Sequence, residues 1–251
     1  MRALSAPELL SVWEQGLAQP PVQRALTLLA SACPETSPKQ LAELSVGQRD
    51  TLLLTLREWM FGSRLQSIVS CPKCCDRLEL SFKVADVRVA TPAESAESFS
   101  LSVANYEVRF RLPNSLDLVA CANQIASTTG FEDPSSAQQT LLERCLLAVC
   151  HHGQEQPVTQ LPADVINAVE ASMAEADPQA DVQINLCCVA CSHQWHSTFD
   201  IVSFFWSEIN TWALRILREV HILASTYGWR EADILAMSPY RRQLYLEMLV
   251  G

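Results

Sequence analysis

Glycine is scarce in this sequence: there are seven among 251 residues, and no two lie within four residues of each other. Loops that cradle a phosphate need clustered glycines, so the sequence excludes Walker-type and dinucleotide-binding sites. Basic residues are also in the minority, with 18 Lys and Arg against 28 Asp and Glu and a net charge of −10. Since proteins that bind DNA or RNA usually carry a basic stripe, we expect no nucleic acid among the partners.

Long apolar runs are missing too. No run approaches the roughly 18 residues of a transmembrane segment, so we expect no membrane span. The first 17 residues include Glu8 and Glu14 and do not resemble a signal peptide. The chain is therefore expected to fold in a reducing cytosol. Hydrophobic residues make up 49% and charged residues 18%, which is typical of a folded globular protein.

Two Cys-x-x-Cys pairs are the strongest chemical signal. Cys71 and Cys74 form one pair, and Cys188 and Cys191 form the other. Each pair can make a tight turn that aims two sulfurs at one ion, and two such turns complete the Cys₄ tetrahedron of a zinc ribbon. We therefore predict one structural Zn²⁺ held by these four cysteines, although the two pairs stand much farther apart than the usual spacing of about 15–20 residues.

The residues around the two pairs repeat. A strand with strict period-two alternation follows the first pair, and the segment after the second pair matches it. A shift of 117 residues superimposes Val69 on Leu186, Leu78 on Trp195, Phe82 on Phe199 and Val84 on Ile201. Each half is thus predicted to be a strand, a Cys-x-x-Cys turn and a second strand. We expect the two hairpins to meet edge to edge and form a split ribbon.

Several alternatives stay open at this site. Cys75 and Cys187 adjoin predicted ligands, and His193 or His196 could replace a thiolate. Iron of the rubredoxin type uses the same ligand set, and a redox pair is disfavoured because strands rather than helices follow both turns. The other cysteines are interpreted as small core residues: Cys33, Cys121, Cys145 and Cys150.

An enzymatic function is not indicated. A site with four thiolates leaves no open position for water or substrate, which excludes a zinc-dependent hydrolase and favours a structural role. The five histidines form no His-Glu-x-x-His motif, and no Gly-x-Ser-x-Gly motif occurs. His151 and His152 are expected to follow the end of a helix. We predict no catalytic residues and no small-molecule substrate.

The predicted fold is α+β, a mainly helical body with the split zinc ribbon and an inserted β-hairpin plus helices. We predict four segments: an N-terminal helical segment (1–62), the split ribbon (63–84 and 182–201), an inserted lobe (99–176) and a C-terminal helical docking tail (202–251). Within the lobe, a hairpin turning at Ala104-Asn105 precedes helices over about 115–127, 135–151 and 162–175.

The tail has an apolar seam with heptad-like spacing, formed by Ile209, Ala213, Ile216, Val220, Leu223 and Tyr227. We expect this seam to close the core of its own domain rather than to bind another chain. Arg241 and Arg242 are interpreted as an exposed basic handle for an acidic partner surface, which would make the tail a docking element.

Four segments together resemble the T4-type baseplate protein family of contractile phage tails and extracellular contractile injection systems. They are Cys71–Cys74 with the strand after it, Arg111-Leu112-Pro113-Asn114-Ser115 with Asp117-Leu118, the second knuckle through Ile201, and the tail from Tyr227 to Leu235 with Arg241-Arg242 and Tyr245-Leu246-Glu247. The resemblance covers about 65–250. The chain departs from the family pattern at Cys75 and Ser192, where glycine is common, and at Val189, where proline is.

The resemblance implies a non-enzymatic component or assembly factor of a baseplate, with other baseplate or hub proteins as partners. It implies assembly in the bacterial cytoplasm, followed either by retention in the particle or by release. The alternative interpretation is a zinc-ribbon adaptor in a nucleic-acid-processing complex, for which Lys73, Arg77 and Lys83 are the available cations near the ribbon.

Overall fold

The structure, a computed structural model, describes residues 1–90, 97–127, 134–157 and 161–249. The helices are α1 (Ala6–Gly16), α2 (Pro21–Ala32), α3 (Pro38–Glu43), α4 (Val46–Phe61), α5 (Val84–Val87), α6 (Ser115–Ser127), α7 (Pro134–Cys145), α8 (Ala163–Ala176), α9 (Ile201–Tyr227), α10 (Glu231–Leu235) and α11 (Pro239–Glu247). The strands are β1 (Arg64–Ser70), β2 (Arg77–Lys83), β3 (Phe99–Val103), β4 (Tyr106–Phe110), β5 (Leu146–His151), β6 (Gln154–Glu155), β7 (Gln183–Cys187) and β8 (Gln194–Thr198). The fold is α+β, as predicted.

The chain divides into two compact units. We call Met1–Thr36 with Ile201–Gly251 the terminal unit and Ser37–Asp200 the central unit. All four cysteines of the predicted metal site belong to the central unit. The division into four segments predicted from the sequence stays a prediction. Residues 91–96, which lie between the first half of the predicted ribbon and the predicted lobe, are outside the described residues.

The terminal unit is entirely helical within its described residues, and α9 packs against α1, α2, α10 and α11. Pro20 stands at the N-cap of α2 and Pro21 is its first residue, because proline suits the first turn of a helix but not its interior. The predicted seam of α9 lies in this unit's own core, with five of its six members buried: Ile209, Ala213, Ile216, Val220 and Leu223. Tyr227, the sixth, is 37% exposed.

The expected basic handle at the end of the chain is wrong for Arg242. This side chain is buried, and its Nε donates to the Glu219 carboxylate at 3.0 Å while Nη1 donates to the Met237 carbonyl at 3.0 Å. A buried guanidinium needs such partners, so Arg242 fixes α11 onto α9 rather than facing a partner. Only Arg241 of the pair is exposed, and it lies 5.7 Å from the centre of the Tyr245 ring.

The central unit begins with two capped helices. Ser45 caps α4 by accepting the backbone N–H of Gln48, whose side chain in turn accepts the N–H of Ser45. The two side chains thus form a reciprocal capping box, which satisfies backbone donors at the start of α4. Gly62, with φ +85°, ends α4 in a conformation that glycine adopts without strain. The chain then enters the first hairpin, β1 and β2.

An inserted lobe separates the two hairpins of the ribbon. Its sheet has the order β3-β4-β5-β6, all antiparallel. The predicted hairpin with its turn at Ala104-Asn105 is confirmed. One face of the sheet packs against α7 and α8 around a core of Val108, Phe110, Leu142, Leu146, Val149, Val165 and Val169.

The helix predicted over 135–151 is wrong beyond Cys145. Residues Leu146–His151 form β5, because their backbone groups pair with β4. His151 and His152 therefore do not follow a helix end. His151 ends β5 and stacks on Tyr106 at 4.1 Å between ring centres, and His152 lies in a tight turn with φ +52°.

A buried carboxylate joins three elements of the lobe. The Asp117 side chain, 1% exposed, accepts both Nη atoms of Arg111 at 2.6 and 2.9 Å, Nε of Arg144 at 2.9 Å and the N–H of Asn114 at 3.1 Å. Burial opposes ionisation, but these hydrogen bonds and the charge of Arg111 outweigh it and lower the pKa of Asp117. The same turn reaches α4, since the N–H of Val46 donates to the Pro113 carbonyl at 3.0 Å.

Candidate metal centre

The two halves of the predicted ribbon fold into equivalent hairpins. In the first, Val69 pairs with Leu78 across β1 and β2. In the second, Leu186 pairs with Trp195 across β7 and β8. These are the residues that a shift of 117 positions superimposes, so the predicted repeat is confirmed. The repeat places one Cys-x-x-Cys turn at the end of each hairpin.

The two turns share a backbone hydrogen-bond pattern. The N–H of Cys71 donates to the Asp76 carbonyl at 2.9 Å, and at the equivalent position the N–H of Cys188 donates to the His193 carbonyl at 2.8 Å. Cys75 and Ser192 have φ values of +60° and +55°. Glycine tolerates this left-handed conformation best, which explains why glycine is common there in the family pattern. The departure at both positions leaves the turn intact.

The turns bring four thiols to one point. The sulfurs of Cys71, Cys74, Cys188 and Cys191 lie within 4.8 Å of one another. The Cys71–Cys191 and Cys74–Cys188 sulfur pairs are 3.7 and 3.6 Å apart. A tetrahedral ion with metal–sulfur bonds of about 2.3 Å requires its sulfurs to be about 3.8 Å apart. The cluster therefore has the dimensions of a Cys₄ metal site.

The hairpins meet face to face, which corrects the expectation that they meet edge to edge. Within the described residues, β1-β2 and β7-β8 are separate two-stranded sheets. Their apolar faces pack around Cys71, Leu78 and Cys188, with Val69, Cys191 and Trp195 beside them. At the other end of the hairpins the Phe82 and Phe199 rings meet edge to face with centres 5.8 Å apart. An apolar wall thus backs the thiols on one side.

Neighbouring cysteines and histidines that were left open as ligands lie outside the cluster. Among the described residues, the group of metal-ligating side chains consists of the four predicted cysteines alone. Cys75 and Cys187 are exposed. His193 stacks on Trp195 with ring centres 5.8 Å apart, and His196 pairs with Asn185 on the outer face of its hairpin. The remaining cysteines are buried at Cys33 and Cys145 and half-buried at Cys121 and Cys150.

The thiols do not ionise alike. For Cys71, burial opposes ionisation, but backbone N–H groups of Cys74 and Lys73 and the thiols of Cys74 and Cys191 outweigh it and lower the pKa to about 7. For Cys74, the N–H of Asp76 favours the thiolate, yet Cys191, burial, Cys188 and Cys71 together raise the pKa to about 12. The Cys71 thiolate therefore forms readily, and a cation is needed to hold Cys74 ionised beside it.

The arrangement can bind one metal ion, but it leaves that ion no free coordination position for a ligand from solvent. Four sulfurs complete a tetrahedron, so a metal here has no position for water or substrate. Two of the ligands, Cys71 and Cys188, are each only 1% exposed. The chemistry that the geometry supports is structural: an ion that joins two segments 117 residues apart.

The chain was compared with protein-family models, curated proteins and solved structures. The model described as T4 bacteriophage base plate protein matches residues 17–206. The chain belongs to this family. The match covers both hairpins and the whole insertion between them. Neither the curated proteins nor the solved structures contain a match.

The matched region differs from the coverage expected from the sequence. It begins at residue 17, so it includes α2, α3 and α4, which the resemblance left unaccounted for. It ends at residue 206, early in α9, so the tail that seemed part of the family pattern lies beyond it. Family membership therefore rests on the whole central unit together with α2 and the first turns of α9 from the terminal unit. Among the described residues, no helix has the length and apolar character needed to cross a bilayer.

The sequence analysis missed the cluster around Asp117. Arg111 and Asp117 were quoted as part of the family pattern, but no role was assigned to them. The signal was available in part, because arginine and aspartate six residues apart flank a Pro-Asn turn. The contribution of Arg144 could not be read from the sequence, since it depends on where α7 packs.

Proposed function

We propose that this protein is a structural component of the baseplate of a contractile, phage-tail-like injection particle, stabilised by Zn²⁺ bound to Cys71, Cys74, Cys188 and Cys191. Family membership supports the baseplate role. The observation that carries the metal proposal is that two equivalent turns, far apart in sequence, place four sulfurs at tetrahedral spacing. Cysteines that only filled a core would not require two turns with the same backbone hydrogen bonds, so the repeated turn favours metal ligation.

Zinc is the preferred ion for this ligand set. Four thiolates in a tetrahedron suit zinc or iron. Zinc is preferred for a structural site because it has no redox chemistry, whereas iron does. Structural zinc in finger peptides contributes about 10–16 kcal/mol to folding. Because a domain is stable by only about 5–15 kcal/mol, the ion would decide whether the two hairpins stay together.

The proposed role is non-enzymatic. A closed site cannot activate water, and the family is a structural one. Other baseplate proteins are the proposed partners. The protein is proposed to assemble in the bacterial cytoplasm and either to stay in the finished particle or to leave after assembly, and mass spectrometry of purified particles distinguishes the two.

Metal analysis tests the site directly. Protein purified without added metal should contain one equivalent of zinc per chain, and Cys191→Ser should lose most of it. Cys75→Ser is the matched control, because its equivalent in the other hairpin is already Ser192 in the same backbone conformation. The control should keep its zinc. Less than half an equivalent of zinc in the unchanged protein, or stoichiometric iron instead, would refute the zinc site.

The role in the particle needs a second test. Cys188→Ser introduced into the producing bacterium should abolish complete contractile particles, because a collapsed ribbon cannot present its baseplate contacts. Cys187→Ser, one residue away and exposed, is the control. Normal particles with the Cys188 variant, in amounts equal to the control, would refute an essential structural role.

A further inference from the structure

The sheet of the inserted lobe begins with a strand that has a free edge. Among the described residues, β3 is the first strand in the order β3-β4-β5-β6 and pairs only with β4. The opposite side of the sheet is partly closed, because β6 pairs with the end of β5 and the N–H of Gln156 donates to the Val149 carbonyl at 2.9 Å. No described strand covers β3 in this way.

The turn of the β3-β4 hairpin determines which backbone groups of β3 point outwards. Ala104 and Asn105 have φ values of +49° and +65°, so the two-residue loop is a primed turn of type I′, and the two residues that flank it form a hydrogen-bonded pair. Hydrogen-bonded and non-bonded pairs alternate along an antiparallel ladder. The N–H and C=O groups of Ser100 and Ser102 therefore point away from β4. Among the described residues, no backbone hydrogen bond joins these groups to another element.

The strand β3 also lacks the features that usually keep exposed strands apart. Natural edge strands are protected by charged side chains, by proline or by a β-bulge. All five residues of β3 are uncharged, none is proline, and the register with β4 is unbroken. Ser100 and Ser102 are exposed, whereas Phe99, Leu101 and Val103 are half-buried although they pack against the core of the lobe. The edge therefore offers a partner both unpaired backbone groups and apolar surface.

We propose that β3 pairs with β3 of a second copy of this chain, in antiparallel direction, around a two-fold axis at Leu101. The two four-stranded sheets then form one continuous sheet. A second copy is the occupant that the residues of the strand favour. Self-pairing places Ser100 opposite Ser102, Phe99 opposite Val103, and Leu101 opposite its own copy. None of these pairs brings like charges together, and like charges directly opposite each other would destabilise the pairing.

The register follows from the direction of the free backbone groups. With the axis at Leu101, Ser100 of one copy and Ser102 of the other form a hydrogen-bonded pair on each side of the axis, and their outward N–H and C=O groups all find partners. Glu97, which precedes β3, falls opposite the uncharged Asn105 rather than opposite another acid.

The contact is small, so the isolated chain should dimerise weakly. A strand of five residues is about 17 Å long, which gives less contact area than a standard protein interface. We expect a dissociation constant on the order of 0.1 mM or higher for the free protein. A particle that holds copies side by side would strengthen the contact by raising their effective concentration.

A proline substitution tests the pairing on the purified full-length chain. Sedimentation at concentrations up to about 1 mM should show a dimer of the unchanged protein. Ser102→Pro removes an N–H that the β3-β4 hairpin does not use, so the edge strand should tolerate the change. The dimer loses two hydrogen bonds, and its dissociation constant should rise about tenfold or more. Ser102→Thr is the matched control: it keeps the N–H and suits a strand, so it should dimerise like the unchanged protein.

Amide exchange, measured residue by residue, identifies the pairing strand without any substitution. In dilute protein the amides of Ser100 and Ser102 should exchange quickly, whereas those of Leu101 and Val103, which donate to β4, should exchange slowly. At high concentration the two serine amides should become protected as well. This change at alternate residues distinguishes pairing at the edge of β3 from a contact on another surface, which would leave all four amides unchanged.

Several results would overturn the self-pairing. One is a chain that stays monomeric at about 1 mM, and another is a dimer in which Ser102→Pro associates as tightly as Ser102→Thr. Serine amides that become protected only in assembled particles, in a chain that does not dimerise, would assign the edge to a strand of a different protein. Zinc content and circular dichroism of each variant separate a failure of the pairing from a failure of the proposed metal site, because β3 lies outside both hairpins of the ribbon.

Discussion

Replacing Asp117 by asparagine should destabilise the inserted lobe strongly at neutral pH. The Asp117 side chain is 1% exposed and accepts hydrogen bonds from Arg111, Arg144 and the backbone of Asn114. Asparagine keeps the shape but loses the charge and turns one acceptor into a donor that faces two guanidinium groups. Breaking a buried ion pair costs about 3–5 kcal/mol. Since Arg111 and Arg144 are 28% and 41% exposed, solvent reduces this, and we expect a loss of about 2–3 kcal/mol.

The sign of the pH dependence follows from the lowered pKa of Asp117. A carboxyl that is more acidic in the folded state stabilises the fold above its unfolded pKa of about 3.9, and this contribution disappears as the pH falls through the folded-state value. The difference in unfolding free energy between Asp117→Asn and the unchanged protein should therefore be constant from about pH 5 to 8 and shrink towards zero in stronger acid.

Urea unfolding at pH 7 and pH 3, with amide exchange of β4 and β5 as a local probe, measures this difference. Asp164→Asn is the control, because Asp164 is an exposed carboxylate in the same unit; it should change stability by no more than about 0.5 kcal/mol. A loss below about 1 kcal/mol at pH 7, or a loss that grows in acid, would show that the Asp117 cluster is not the anchor described above.

Three further changes test other parts of the structure. Arg242→Ala should cost about 2–3 kcal/mol, because the half-buried Glu219 loses its buried partner and is left with the exposed Arg215 at 3.7 Å, and the Met237 carbonyl loses its side-chain donor. Arg241→Ala should be nearly silent, and equal effects in thermal unfolding would contradict the burial of Arg242. Gly47→Ala should destabilise the start of α4, since a Cβ there would lie 1.9 Å from Oδ1 of Asp177, and an unchanged melting temperature relative to Thr51→Ala would refute that close contact. Zinc affinity should fall as the pH falls, because the ion must displace protons from thiols such as Cys74, whose pKa is raised to about 12. Competition with a chelator at pH 6 and pH 8 measures the zinc affinity. Equal affinity at the two pH values would argue against thiolate ligation.

The metal site could be predicted from the sequence because its signal is local and occurs twice. A Cys-x-x-Cys turn and the alternation after it depend on residues within about ten positions. The shift of 117 then relates the two copies without knowledge of the fold. Alternation shows which side of a strand is apolar, but it does not show which surface that side meets. This is why the face-to-face packing of the hairpins could not be predicted.

The errors elsewhere share one cause, which is contact between residues far apart in sequence. Leu142, Cys145 and Val149 have helical spacing, yet Val149 belongs to β5 because β4, about 40 residues earlier, supplies hydrogen-bond partners. Arg242 follows an exposed arginine and looks like its neighbour, but Glu219 and the Met237 carbonyl draw it into the core. Local patterns do not contain these partners.

The separation of the two hairpins gives the proposed ion its structural value. Bringing two chain segments together costs entropy that rises with the logarithm of the intervening length, and native long-range pairing also slows folding. Here the intervening lobe has its own sheet and core. The hairpins pack through a small cluster of side chains, in which Cys71, Leu78 and Cys188 are buried. An ion bound by all four thiols would add four metal–sulfur bonds to this small apolar contact and so offset part of the closure cost. The sequence therefore keeps the ligands and the inner faces alike in both halves, and leaves the outer faces free to differ.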